Sequence, residues 1–377
     1  MQTNFELKRH NTMKIFEVMR RRESVSRKEL ATLTGLSWGS VSSISAELLQ
    51  KGIVIAEKEA SAGGRPAERL TLSPTQFLQL GIDINSVGLS FVVVNLQGKV
   101  VQADTLPMEN SDKDDLLNVL YAQTEKMLLQ NSSIIGINLS MQGKINRKTG
   151  VSLRTNFFKG WKNVPLVELF EKKFSLPTKL YHDPDCLLYY HMQNDPRLTG
   201  KNDGFVVRLD DGIGMARLLN GKLYETGDET SFELGHTIAV QDGRACVCGK
   251  RGCLETYASL RGMREIYQEK SGQNAVAFLD AFKHADMLAH EILQDATKRL
   301  GVAIANLFTL SAPEFILLDG GLFAQFPAIF QEIETSTREN LTDDCNLLFA
   351  SYKREAPAIG ACLITIEKTT EEILFDL

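Results

Sequence analysis

Four side chains with metal-ligating chemistry fall within eighteen residues: His236, Cys246, Cys248 and Cys253, separated by nine, one and four residues. One imidazole and three thiolates complete a tetrahedral shell of the kind zinc takes in structural sites, with no position left open for a substrate. The spacing therefore predicts a structural Zn2+ loop and not a hydrolytic centre; a reduced cysteine cluster without metal is the alternative. Gly243, Gly249 and Gly252 fall where the loop must turn to aim successive sulfurs at one point. Glu233 and Glu255 flank it. A metal-bound imidazole keeps its second nitrogen for a polar partner, and carboxylates beside it accept hydroxyl protons. A polyhydroxylated ligand, a sugar first of all, is therefore expected at Glu233, His236 and Glu255. The competing account makes both glutamates supports of the metal ligands or solvated loop charges.

A second chemistry is concentrated at the other end of the chain. Residues 1–73 hold twelve lysines and arginines against eight glutamates and no aspartate, a net charge of +4, while the remainder carries 30 basic against 39 acidic residues, a net of −9. A basic head on an acidic body fits a phosphate-seeking module joined to a ligand-sensing one. Three helices are expected in the head. The first spans 7–22. The second follows Ser26, whose spacing to Glu29 is that of a capping box, and ends at Gly35. The third is capped by Ser37 and carries Val41, Ile44 and Leu48 as its inward stripe. Helix, glycine-containing turn, helix is the helix-turn-helix pattern.

On the outward side of the third helix stand Ser37, Trp38, Ser40, Ser42 and Ser43, small hydroxylated residues and one aromatic that can approach a groove floor or phosphates closely. Two short strands, 53–59 and 68–72, then flank the glycine-rich tip SAGGRP. That arrangement is a wing, and Arg65 would project from its tip toward a minor groove or a phosphate. DNA is the expected partner of this unit; a three-helix protein-docking module with a solvated Arg65 is the weaker account.

Composition sets the outer limits. At 377 residues, 43% hydrophobic and 24% charged, the chain is long enough for two or three globular domains. Its longest apolar runs are strand-sized, too short to span a bilayer, and the first residues lack the apolar core of a secretion signal. Cys186, Cys345 and Cys362 are isolated and read as buried thiols. A cytoplasmic protein is expected.

The segment ELGHT followed by GRACVCGKRGCLETYAS resembles the signature of the ROK family (repressor, open reading frame, kinase), whose members are sugar kinases and sugar-responsive transcription factors. The resemblance extends over nearly the whole chain. It implies an α/β fold in which an N-terminal winged helix-turn-helix (1–73) precedes a two-lobed actin-like, RNase H-like domain, with lobes at 74–180 and 181–377 and a sugar in the cleft beside the zinc. It also places two further ligand residues. Asn156, in TNFFKGW, matches the family's sugar-facing loop. Asp183, in YHDPDC, matches the aspartate that serves the kinases as general base; taken alone, each reads as a turn residue. The head and GGRP resemble the repressor subgroup, which includes regulators of xylose, glucose and N-acetylglucosamine operons.

Departures from the family pattern bear on activity. Where its kinases place a glycine pair against the nucleotide phosphates, this chain has Asn85 and Ser86, whose side chains would crowd a phosphate. Gly212 and Gly214 in DDGIG resemble the second phosphate loop, a weak signal by itself. The expectation is a non-enzymatic, sugar-responsive regulator, a homodimer or homotetramer that represses a carbohydrate uptake or catabolism operon and leaves its operator on binding a sugar or sugar derivative. The alternative is an ATP-dependent sugar kinase that carries a DNA-binding head.

Overall fold

A computed structural model describes residues 4–59, 67–107, 112–155, 157–225, 232–322 and 326–376. Arg65, the SAGGRP tip and Asn156 lie outside the described residues. The head consists of α1 (Asn4–Arg20), α2 (Arg27–Thr34), α3 (Trp38–Gln50) and an antiparallel pair, β1 (Val54–Glu59) and β2 (Ala67–Leu72). The first helix begins and ends earlier than its apolar pattern implies, and beyond its end Val25 bridges Leu70 of β2. The capping box is present. Ser26 Oγ accepts from the Glu29 amide, and the Glu29 carboxylate accepts from the Ser26 amide and from Arg69. These bonds, the backbone one foremost, hold the Glu29 carboxyl down at about 2. Gly35, at φ 71°, closes α2 in the left-handed region and opens the turn into α3.

Two five-stranded sheets form the body. The first contains β3 (Leu78–Asn85), β4 (Gly88–Val94), β5 (Val100–Leu106), β6 (Ile134–Met141) and β10 (Thr178–His182), ordered β10-β6-β3-β4-β5. The second contains β11 (Gly204–Leu209), β12 (Ile213–Leu219), β13 (Lys222–Leu223), β14 (Phe315–Asp319) and β15 (Leu347–Phe349), ordered β13-β12-β11-β14-β15. Each begins as an antiparallel meander of three strands and is extended on the other side by two parallel strands. One topology thus occurs twice. A three-stranded antiparallel sheet, β7 (Lys144–Asn146), β8 (Val151–Arg154) and β9 (Lys162–Val164), stands beside the first. Its Trp161 is buried and donates to the Ser152 hydroxyl, so this ring belongs to the core and not to a ligand face.

Helices α4 (Lys113–Gln130) and α5 (Leu166–Phe174) cover one face of the first sheet, and α7 (Glu255–Ala258), α8 (Leu260–Ser271), α9 (Phe278–Lys283), α10 (Met287–Ser311) and α11 (Ala328–Glu339) pack around the second. Two helices join the lobes. Helix α6 (Asp183–Asn194) starts at the end of β10 and runs onto β11 and β12. The last helix, α12 (Ala356–Phe375), packs on α6 and on β3, β4 and β6. Gly360 makes the α6 contact possible, because a Cβ there would sit 1.8 Å from the Cys186 carbonyl oxygen. Strand β15 ends at Phe349, and residues 350–355 form a loop that leads into α12.

Helix α12 also receives the head. Ile15, Phe16, Met19 and Leu48 share one apolar cluster with Ile359, Leu363, Ile366 and Leu374 of α12 and with Val92 and Val94 of β4. Polar contacts rim it: Arg9 to Glu371 at 2.6 Å, Arg20 to Glu367 at 2.7 Å, and Lys51 Nζ to the Leu374 carbonyl at 2.8 Å.

Candidate functional site

The loop after β12 brings its four ligand-type residues together. Cys246 Sγ lies 3.5 Å from His236 Nδ1, Cys248 Sγ lies 3.6 Å from Cys253 Sγ, and all four donor atoms fall within 4.8 Å of one another. A tetrahedral zinc with Zn–S near 2.3 Å and Zn–N near 2.0 Å requires ligand separations of roughly 3.5–3.8 Å; the donor set suits the ion, and the two close pairs already stand at that spacing. Gly249 and Gly252 turn the chain at φ 91° and 77°. Gly243 does not share this conformation; it is needed because a Cβ would meet the Tyr257 hydroxyl at 2.2 Å. With Nδ1 toward the cysteines, His236 Nε2 points the other way and lies 3.8 Å from Glu233.

His236 stands on the wall of a cavity of about 310 Å3 between the lobes. Asp183, Glu233, His236 and Glu255 all line it, together with His182, Arg208, Gly212 and Gly214. Helix α6 delivers Asp183 as its first residue, at the mouth of the parallel β6–β10 pair, while α7 delivers Glu255. The Glu255 carboxylate is already engaged: Oε2 accepts from the Ile213 amide at 3.2 Å and Oε1 from Arg261 at 2.6 Å. It braces the cavity wall as well as presenting oxygen to it.

Beneath the cavity is a buried charge network that the sequence reading did not find. Arg208, 5% exposed, donates to Asp183 at 2.9 Å and to Asp210 at 2.8 Å, and Asp210 accepts in turn from the Gly321 amide. Burial outweighs the attraction of Arg208 at Asp183 and pushes its carboxyl up to about 6. His182, whose buried Nδ1 has no hydrogen-bond partner, is pushed the other way by the same desolvation and stays neutral near neutrality. An arginine inside the apolar strand GFVVRL was the available signal, since a buried charge demands partners.

Side chains of the β3–β4 turn hold it together, and Arg354, in the loop before α12, donates to the Val87 carbonyl at 3.2 Å. Asn85 Nδ2 donates to Asp83 at 2.6 Å and Asn85 Oδ1 accepts from the Val87 amide at 2.9 Å, while Ser140 donates to the other oxygen of Asp83. Asp83 is fully buried, and desolvation raises its carboxyl.

In the head, Trp38 is 60% exposed, Ser37 and Ser43 are exposed, and Ser40 and Ser42 are half-buried. Ser37 spends its hydroxyl on the cap, accepting from the Ser40 amide at 3.2 Å and meeting the Ser40 hydroxyl at 3.0 Å. Trp38, Ser42 and Ser43 make up the outward surface of α3.

A winged three-helix head docked on a two-sheet body with a polar interlobe cavity and a Cys3His loop defines the class of this protein. Its family follows from comparison. The ROK family model matches residues 79–368, and the chain belongs to that family. The xylose repressor of Bacillus spizizenii is 25% identical over 96% of both chains. A glucokinase of Halalkalibacterium halodurans is 26% identical over 74% of this chain and 92% of its own length. Among solved structures, a ROK family transcriptional regulator described as a homolog of the E. coli Mlc protein superposes with a TM-score of 0.77, at 23% identity, over 98% of each chain.

Proposed function

We propose that this protein is a sugar-responsive transcriptional repressor of a carbohydrate uptake or catabolism operon, released from operator DNA when a sugar or sugar derivative fills the interlobe cavity. One observation carries the reading: the helix that receives the DNA head, α12, also packs on α6, whose first residue is Asp183. Movement of α6 on ligand binding therefore acts on the seat of the head through a single rigid element, and a ligand that prefers one arrangement shifts the population of both. Relatives that match along nearly the full length, such as the xylose repressor, support the regulator class.

In this reading Asp183, Glu233, His236 and Glu255, with Asn156, bind the hydroxyls of the effector. Ser37, Trp38, Ser40, Ser42 and Ser43 form the DNA-facing surface with Arg65, in a head taken as 1–73; the lobes, 74–180 and 181–377, exchange helices. Operator DNA is bound by a homodimer or homotetramer. A structural Zn2+ held by His236, Cys246, Cys248 and Cys253 keeps His236 aimed at the cavity and supplies no chemistry. Phosphoryl transfer is absent because Asn85 fills the turn where a nucleotide phosphate needs bare backbone amides. Relatives that include a glucokinase make the kinase the second reading. The test measures both at once: operator binding by fluorescence anisotropy, and ADP release with ATP, magnesium and the same sugars. Sugar-dependent loss of DNA binding without turnover is expected; turnover with sugar-indifferent DNA binding would establish the kinase instead.

A further inference from the structure

The charges around the cavity fall into three groups: buried carboxylates, the more exposed carboxylate of Glu233 beside His236, and cations at the rim. Its buried carboxylates are neutralised within the protein, Asp183 by Arg208 and Glu255 by Arg261. The cations at its rim are not. Lys144 in β7 stands opposite Arg154 in β8, and Arg154 stands opposite Lys162 in β9, so three cations form one row across the three-stranded sheet. Directly opposed residues share a face, and like charges so placed repel. Lys144 and Arg154 both line the cavity, and among the described residues no ion pair relieves any of the three. A fourth cation, Lys250, reaches the cavity from the metal-type loop and gives one ammonium proton to the His236 carbonyl at 2.7 Å, which leaves two more to donate. A row of solvated surface charges has no reason to begin at a cavity mouth opposite a floor of hydroxyl acceptors.

We infer that the effector is an anionic sugar, a sugar phosphate or a sugar carboxylate, whose hydroxyls meet the floor at Asp183 and His236 while its anionic group meets Lys144 and Arg154 at the rim. This rests on the sugar-binding reading above and narrows it. The planar guanidinium of Arg154 suits two oxygens of a phosphate or carboxylate at once, and the lysine adds a point charge beside it. Filling the rim with an anion also removes the repulsion between the opposed cations, so the anionic form gains from a cost already present in the free protein.

The test is calorimetric titration of the full-length protein with glucose, N-acetylglucosamine and xylose, with glucose 6-phosphate, N-acetylglucosamine 6-phosphate and glucuronate, and with inorganic phosphate alone, at low and high salt. At least one anionic compound should bind about tenfold or more tightly than its neutral parent, by an advantage that shrinks as salt screens the rim. The double variant Lys144→Gln with Arg154→Gln, at exposed positions that leave the fold intact, should bring the two within about twofold of each other. Equal affinity for parent and anion, an undiminished preference in the double variant, or inorganic phosphate binding as tightly as the sugar phosphate would each overturn the inference while leaving a sugar site in place. Failure of every sugar, neutral and anionic, to bind would remove the sugar-binding reading and this inference with it.

Discussion

The two lobes repeat one topology and close their first hairpin turns in opposite ways. In the first lobe, Asn85 turns back on Asp83 and on the Val87 amide, a small arrangement completed by Ser140. In the second, the strand before the turn carries Arg208, and the contacts reach outward to Asp183 on α6, to Asp210 and to Gly321. The first turn is held mainly by short-range bonds, with Gln142 accepting from the Ser86 amide and Arg354 capping the Val87 carbonyl from the other half of the chain. The second is tied to the cavity and, through α6 and α12, to the head. The duplicated fold thus gives its two turns different reach, and the distinction is chemical: a local amide organises one, a long guanidinium that bridges elements the other.

The largest effect should come from breaking the second turn. Arg208→Met leaves Asp183 and Asp210 buried without their counterion, which costs about 3–5 kcal/mol by the usual penalty for an orphaned buried charge. Chemical denaturation would measure it. Asn85→Ala, in the first turn, removes the hydrogen bonds of an uncharged side chain and should cost about 1–3 kcal/mol in the same assay. Equal losses would erase the contrast between the lobes.

Next in size is the connection to the head. Glu367→Gln together with Glu371→Gln removes the acidic partners of Arg20 and Arg9 at the end of α12. Sugar affinity and operator affinity should each persist, while the effect of one on the other falls from the usual 1–3 kcal/mol, roughly 5–150-fold, toward zero. Undiminished sugar response in this variant would place the coupling elsewhere.

Cys248→Ser is expected to lower zinc from about one ion per chain and to weaken sugar binding on the order of tenfold or more, because His236 loses the fixed orientation that its metal bond provides. Metal analysis and calorimetry on one preparation check it. The smallest effect belongs to Glu29. Its carboxyl is held at about 2 in the folded head, below its ordinary value, so the capping contribution is fully present above about pH 4.5 and is lost as pH falls toward 2. Glu29→Gln should flatten that acid limb by lowering the head's stability near neutrality toward the wild-type level at pH 2, with the two proteins converging as pH falls.

The contrast between lobes also marks what the sequence could and could not disclose. Capping at Ser26 and Ser37, the left-handed Gly35, the wing strands and the Cys3His spacing are written within a few residues, and short-range geometry follows from short-range chemistry. The family signature lies in one such stretch, and the two-lobed fold came with it. Arg208 and Asp183 meet across 25 positions, and Arg9 meets Glu371 across 362. No local pattern announces such pairings, although a lone arginine in an apolar strand should have prompted a search for its partners. The return of α12 to the first sheet is hidden for the same reason: its apolar faces say that it is buried, not against what. Cation row Lys144–Arg154–Lys162 needs the register of three strands before it exists at all.

The central claim is that a sugar in the interlobe cavity weakens DNA binding by the head. It is tested most directly by fluorescence anisotropy on a duplex selected by the protein from a random library, titrated with and without saturating effector found in the calorimetric panel. A fall in operator affinity of roughly 5–150-fold, absent in Asp183→Asn because that variant no longer holds the effector, is the predicted result. Operator affinity that stays unchanged while the effector demonstrably occupies the wild-type protein would contradict the account.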